Sequence, residues 1–296
     1  MVRNIIRLLV NLVVSAFVFF VLSLLIFDQF VQFRLDDKDI YRQFHAEHLD
    51  PHIGYYTTES RTIRYMTVGQ DTTCTILFIH GAPSSLSYWR NYLQDSALLA
   101  HARMYAVDRP GYGYSGLADP VPDIQKQASL LKPLLDSMHA FHRPVILVGA
   151  SYGTAVASRL AMDNPGLVDG LVLVAPAIAP GEEKIFWFTP AIEHPALKWF
   201  VPRMLQSANT EKVHHAEELR KMLPLWSTLH IPVFYLQGAR DELVYTTNAD
   251  FARTHIKGVQ IQMIPGKGHL IAFSNKPEVE AAILRMTRLV SGRSRN

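Results

Sequence analysis

Residues 145–153 read VILVGASYG. Four apolar residues, three of them β-branched, run straight into Gly149-Ala150-Ser151-Tyr152-Gly153. The stretch behind them, TAVASRLAM, carries apolar residues at helical spacing. The order is therefore a buried strand, a very tight turn and a helix. G-x-S-x-G in that setting lifts one serine out of a sheet on a strained backbone. Glycines are needed at 149 and 153 because a side chain there would meet the neighbouring strand and helix. Ser151 then stands at a helix N-terminus, where free N–H groups and the helix dipole favour developing negative charge.

The same alternation extends outward from this turn. Upstream, residues 62–68 read as a strand, 69–73 as a turn and 75–79 as a buried strand ending in HGAP. Residues 87–99 read as a helix, 104–107 as a strand that runs into DRPGYGYSG, and 124–138 as a helix. Downstream, 171–174, 233–236 and 259–264 are apolar strands, and 277–289 is a terminal helix with proline in its first turn. Strands alternating with helices imply an α/β domain with a mostly parallel sheet covered on both faces. The alternation stops between 177 and 230. That stretch is too long for a plain loop and holds Phe186, Trp187, Phe188, Trp199, Phe200 and Trp226. It reads as a helical lid over the carboxyl ends of the strands.

The chain of 296 residues is 49% hydrophobic and 19% charged, a globular balance. Its net charge of +3 is small, and no basic run is interleaved with aromatics, so no nucleic-acid surface is expected. With Cys74 as its one cysteine, internal disulfides and cysteine metal sites are excluded. Residues 8–27 carry no charge and are long enough to cross a hydrocarbon core of about 30 Å. The run exceeds the apolar core of a cleaved signal and lacks a small-residue cleavage site, so it reads as an uncleaved single-pass anchor in a lipid bilayer. Arg3 and Arg7 precede it, and Arg34, Lys38 and Arg42 follow, a near tie. A short basic N-terminus before a first span usually stays cytoplasmic. The main domain is therefore expected on the non-cytoplasmic side, the periplasm in a bacterium. The expected organisation is an anchor over 1–28, a linker or short amphipathic helix over 29–52, the α/β domain with its lid over 53–290 and a tail over 291–296.

HGAP after one strand, DRPGYGYSG after the next, GASYG at the turn, GARDELV after a late strand and GKGHLI after the last stand in order. Together they resemble the α/β-hydrolase superfamily, in its lid-bearing branch of esterases and lipases. The resemblance covers about 53–289, and it makes the turn at 149–153 a nucleophile elbow. It implies a triad in the chain order Ser, Asp, His, which falls here on Ser151, Asp241 and His269. The residue chemistry points the same way. A neutral serine needs a base within hydrogen-bond reach, and histidine suits that role near neutral pH. A carboxylate must orient the imidazole and stabilise its charged form. Asp241 and His269 each follow a strand end, on the edge of the sheet where Ser151 stands.

The oxyanion formed on a substrate carbonyl needs two donors. The expected ones are the N–H groups of Tyr152 and Ala82, because Pro83 has none to offer. His80 reads as a hydrogen-bonder that shapes its loop, and Asp108 and Arg109 as members of a turn network. No phosphate loop, dinucleotide fingerprint or histidine metal cluster is present, so no cofactor is expected. Serine at the elbow argues against the epoxide-hydrolase and haloalkane-dehalogenase branches, which use aspartate there. The expected activity is hydrolysis of a small, neutral, apolar carboxylic ester through an acyl-enzyme. Amidase, peptidase, lactonase, carbon–carbon hydrolase, acyltransferase and perhydrolase chemistry would use the same triad. A non-catalytic ligand-binding module is the alternative outside enzymology.

Overall fold

The computed structural model describes residues 2–70 and 72–293. Met1 of the expected anchor, Asp71 within the expected turn and residues 294–296 of the expected tail lie outside them. The strands are β1 (His52–Thr58), β2 (Arg61–Val68), β3 (Cys74–Ile79), β4 (Ala102–Val107), β5 (Val145–Ala150), β6 (Gly170–Val174), β7 (Val233–Gly238) and β8 (Gln260–Ile264). They form one sheet in the order β1-β2-β4-β3-β5-β6-β7-β8. The β1–β2 and β2–β4 pairs are antiparallel, and the pairs from β4 to β8 are parallel.

Every residue of β3, β5, β6 and β7 is buried. This is why these strands read as continuous apolar runs. The two-residue period survives in which face each side chain serves. Leu77, Ile79, Val145, Leu147, Leu171 and Leu173 pack into one core, under the helices Ile124–His139 and Tyr152–Asp163. Ile76, Phe78, Ile146, Val148, Val172 and Val174 pack into the other, against the helix Lys276–Arg293. The α/β-hydrolase architecture expected from the sequence is thus present, with a mostly parallel sheet between two helical layers.

Two expectations change in detail, and a third becomes specific. β1 went unread because HIGYYTT alternates in exposure at a sheet edge and carries no apolar run. The single helix expected over 87–99 is three short turns, 86–89, 90–93 and 96–99. The break falls at Asp95, whose carboxylate accepts from the N–H groups of Ala97 and Leu98 and starts a new turn. Of the linker or short amphipathic helix expected over 29–52, the structure shows the helix. Helix α2 (Asp37–Ala46) is capped by Asp36, which accepts from Asp39 N at 2.7 Å, and it buries Ile40 and Phe44 in the core. Arg34 donates to the Gly113 carbonyl and Arg90 to Gln43 Oε1, each at 2.6 Å, which fastens this segment to the sheet domain.

Helix α1 (Val2–Phe30) is long and apolar enough to cross a membrane, and none of its apolar stretch is buried against the rest of the chain. That excludes a core helix. Its C-terminal end is nevertheless fixed. Asp28 Oδ1 accepts from Arg203 N at 2.7 Å, and Oδ2 accepts from Arg203 Nε and Nη2 at 2.9 and 2.8 Å. The Phe20 ring lies 6.0 Å from that of Phe200. Between β6 and β7 the chain inserts the short helices Thr189–Ile192 and Pro195–Lys198, the long helix Arg203–Met222 and a 3-10 turn Leu223–Thr228.

Candidate active site

The elbow follows from its neighbours. Ser151 has φ 50° and ψ −125°, a strained setting for a non-glycine residue. A Cβ on Gly149 would stand 2.7 Å from the Gly153 carbonyl oxygen, and one on Gly153 would stand 2.4 Å from the His80 carbonyl oxygen. Both glycines are therefore dictated by close backbone approach. The turn ends β5 and delivers Ser151 Oγ to the carboxyl edge of the sheet.

β7 and β8 deliver the other two side chains to the same edge. A Cβ on Gly238 would meet the Gly268 and Lys267 carbonyl oxygens at 2.3 Å, so the loops after these strands lie in direct contact. Asp241 leaves the first loop and His269 the second. Asp241 Oδ2 is 2.8 Å from His269 Nδ1, and His269 Nε2 is 3.0 Å from Ser151 Oγ. A carboxylate only accepts, so Nδ1 carries the proton and Nε2 is free to accept from the serine hydroxyl. Asp241 Oδ1 accepts from Leu243 N at 3.0 Å and Val244 N at 2.9 Å, which fixes the carboxylate from the far side. Glu242 points to solvent, and Glu182 is bonded to Thr247 Oγ1 at 2.6 Å instead.

Ala82 and Tyr152 border the same cavity as Ser151 and His269. Neither backbone N–H has an acceptor among the described residues. The loop that carries Ala82 is held from below. The buried His80 contacts the Gly81 carbonyl through Nδ1 at 2.7 Å, and its Nε2 accepts from Arg109 N at 3.0 Å. Burial first, then the nearby Arg109 charge, push its pKa well below the usual histidine range, so it stays neutral. Arg109, fully buried, donates to the His80 and Gly81 carbonyls at 2.8 and 3.1 Å. Its charge is met by Glu211 at 2.6 and 3.0 Å, on the inserted helix Arg203–Met222. Tyr112 and Gln127 also donate to Glu211. The turn network expected around Asp108 is present too: its carboxylate accepts from Leu86 N, Tyr114 N and Arg64.

The cavity above the serine measures about 500 Å³ and is mostly apolar, with Phe186, Phe188, Val201 and Leu205 from the insertion in its wall. Arg109 acts as the loop-tying residue that the sequence analysis expected. Arg109 is spent on Glu211 beneath the loop, whereas Glu183 and Lys212 line the cavity. Burial would raise the Glu183 pKa, but His215 at 2.8 Å and Lys212 at 3.3 Å pull it down to about 2. The cavity therefore contains an ion pair that is satisfied internally. The sequence carried no signal for Glu183, Glu211, Lys212 or His215. The helix Arg203–Met222 is rich in polar residues and reads as a solvated helix, yet Glu211 and His215 are buried. Among the described residues no group of three or more His, Cys, Asp or Glu side chains is placed to hold a metal ion.

The chain matches a haloalkane dehalogenase of Mesorhizobium japonicum at 35% identity over 113 residues, 38% of this chain and 35% of that protein. It thus spans about a third of that relative's length. It matches a pimeloyl-(acyl-carrier protein) methyl ester esterase of Proteus mirabilis at 27% identity over 244 residues, 75% of this chain and 87% of that protein. Its fold resembles the crystal structure of a membrane phospholipase A described as a bacterial virulence factor, with a TM-score of 0.64 and 20% identity. That likeness covers 97% of this chain and 99% of the other. The profile described as "Alpha/beta hydrolase family" matches residues 76–282, more than half of the sequence, and the chain belongs to that family.

Proposed function

We propose that the chain is a membrane-anchored serine hydrolase that cleaves neutral, apolar carboxylic esters. The observation that carries this reading is the hydrogen-bonded run Ser151–His269–Asp241 at the floor of an apolar cavity. Ser151 Oγ attacks the acyl carbon while His269 Nε2 takes its proton. The oxyanion is met by the N–H groups of Ala82 and Tyr152, at the start of the helix Tyr152–Asp163. His269 then protonates the leaving alkoxide. Water, deprotonated by the same nitrogen, releases the acid from the acyl-enzyme. Asp241 keeps the imidazole in the productive tautomer throughout. Similarity to an ester-cleaving relative over three quarters of the chain supports this class.

In the same reading α1 is the span, with the catalytic domain and its lid, residues 177–230, on the non-cytoplasmic side. A reporter fused to Asn296 and active only in the cytoplasm would reverse that orientation.

The cavity wall sets the substrate. Burying an acyl chain gains about 0.8 kcal/mol per CH₂, or roughly fourfold per carbon. An anionic acyl group finds Lys212 already paired with Glu183 and loses solvation without a free partner. The expected result is a kcat/KM that climbs with acyl length, from acetyl upward, until the cavity is filled. Phe188→Asp is expected to flatten that climb while a small fluorophosphonate still labels Ser151. A flat wild-type series, or a preference for anionic acyl groups, would abandon the apolar-ester reading for peptidase or carbon–carbon hydrolase action.

A further inference from the structure

The apolar run of α1, residues 8–27, is about 30 Å long at 1.5 Å per residue, just enough for one hydrocarbon core. Asp28 closes it. Phe20 lies eight residues before Asp28, which places it about 12 Å further along the helix axis. Phe20 is the residue whose ring meets Phe200 of the insertion. Below Phe20 only residues 8–19 remain, about 18 Å of helix, too short to cross a bilayer alone. Any placement in which α1 crosses the membrane therefore carries Phe200 to hydrocarbon depth.

The side chains around Phe200 suit that depth. Trp199 packs edge-on against Phe200 at 5.0 Å, and Phe188 contacts both Phe186 and Trp187. Trp187 is 90% exposed and Trp199 56% exposed. These aromatics are bordered by cations, as at a membrane interface: Lys184 lies over the Phe186 ring, and Lys198 pairs with Glu193. Phe186 and Phe188 also line the cavity over Ser151, so this aromatic face is continuous with the wall of the site.

We propose that residues 185–200 dock into the leaflet on the catalytic-domain side as a second membrane attachment beside α1. The partner is the lipid bilayer itself, and the site takes its ester from the leaflet rather than from water. The Asp28–Arg203 pair closes this apolar surface at headgroup level and holds the insertion against the anchor. The inference rests on the proposed reading of α1 as a span.

The test uses tryptophan emission. The chain has four tryptophans, and α1 has none. Trp89 and Trp226 are buried, so quenchers in the acyl chains reach Trp187 and Trp199 selectively. The full chain is reconstituted in phosphatidylcholine–phosphatidylglycerol vesicles, with part of the phosphatidylcholine brominated on its acyl chains. The expected result is strong quenching in the wild type and loss of most of it in the Trp187→Phe/Trp199→Phe double variant. Absent quenching, or quenching equal in both proteins, would overturn the docking while alkaline carbonate extraction still finds the protein in the membrane. Release by carbonate would remove the reading of α1 as a span, and the docking with it.

Discussion

Ser151→Ala is expected to cut kcat by about 10⁶-fold on the best ester and to abolish fluorophosphonate labelling, the scale of loss seen when a triad nucleophile is removed. The substitution deletes one oxygen at a turn whose shape is set elsewhere. Gly149 and Gly153 fix the backbone through contacts with Thr154 and with the carbonyl of His80. Ser151 N donates to the Val174 carbonyl at 2.9 Å, and that bond survives the change. The variant is therefore expected to keep the wild-type melting temperature and substrate affinity, so the loss falls in kcat. The measurements are single-turnover kinetics with a chromogenic ester and binding of a non-cleavable analogue. A variant that keeps even a hundredth of wild-type turnover would remove Ser151 as the nucleophile.

Asp241→Asn is expected to lower kcat by about 10⁴-fold, whereas Glu242→Gln stays within about twofold. Both changes replace a carboxylate by its amide, one residue apart, so they separate position from charge. Asp241 faces His269 Nδ1, while Glu242 faces solvent. An asparagine at 241 can keep its oxygen toward the Leu243 and Val244 amides. Its NH₂ group then points at Nδ1 and favours the tautomer with the proton on Nε2. That imidazole cannot accept from Ser151, so the base is lost while the fold is retained. Equal losses in the two variants, or a larger loss at 242, would move the acid away from Asp241.

The parts of this site legible in the sequence share one property: each residue is announced by the chain immediately around it. Gly149, Ser151 and Gly153 announce the elbow because the strand, the turn and the helix are contiguous. Asp241 and His269 could be placed because each follows an apolar strand, and parallel strands gather their carboxyl ends. The fold was legible for the same reason, since β3, β5, β6 and β7 are buried on both faces and read as apolar runs. What stayed hidden has distant partners and no local pattern to announce it. Glu211 meets Arg109 across 102 residues, and Glu183 meets His215 across 32. A buried carboxylate with a partner has the same letter in the sequence as a solvated one. β1 was missed because an edge strand with one wet face need not be apolar. The segment 29–52 could be narrowed only to a linker or a short amphipathic helix, because just two of the ten residues of α2, Ile40 and Phe44, are buried.

The Arg109–Glu211 pair bears on how this protein can be recombined. In sequence the insertion between β6 and β7 is a self-contained cassette, and its ends invite exchange with that of another hydrolase. Electrostatically the cassette is not separate, because one half of a fully buried ion pair is encoded after β4 and the other half within it. A transplanted cassette without a carboxylate at 211 would strand the Arg109 guanidinium beneath the Gly81 carbonyl. An orphaned buried charge of that kind costs about 3–5 kcal/mol, a large share of the roughly 5–15 kcal/mol that holds a domain folded. The loop after β4 and the inserted helix are thus one heritable unit split across the chain. Shuffling libraries built on this scaffold should exchange positions 109 and 211 together.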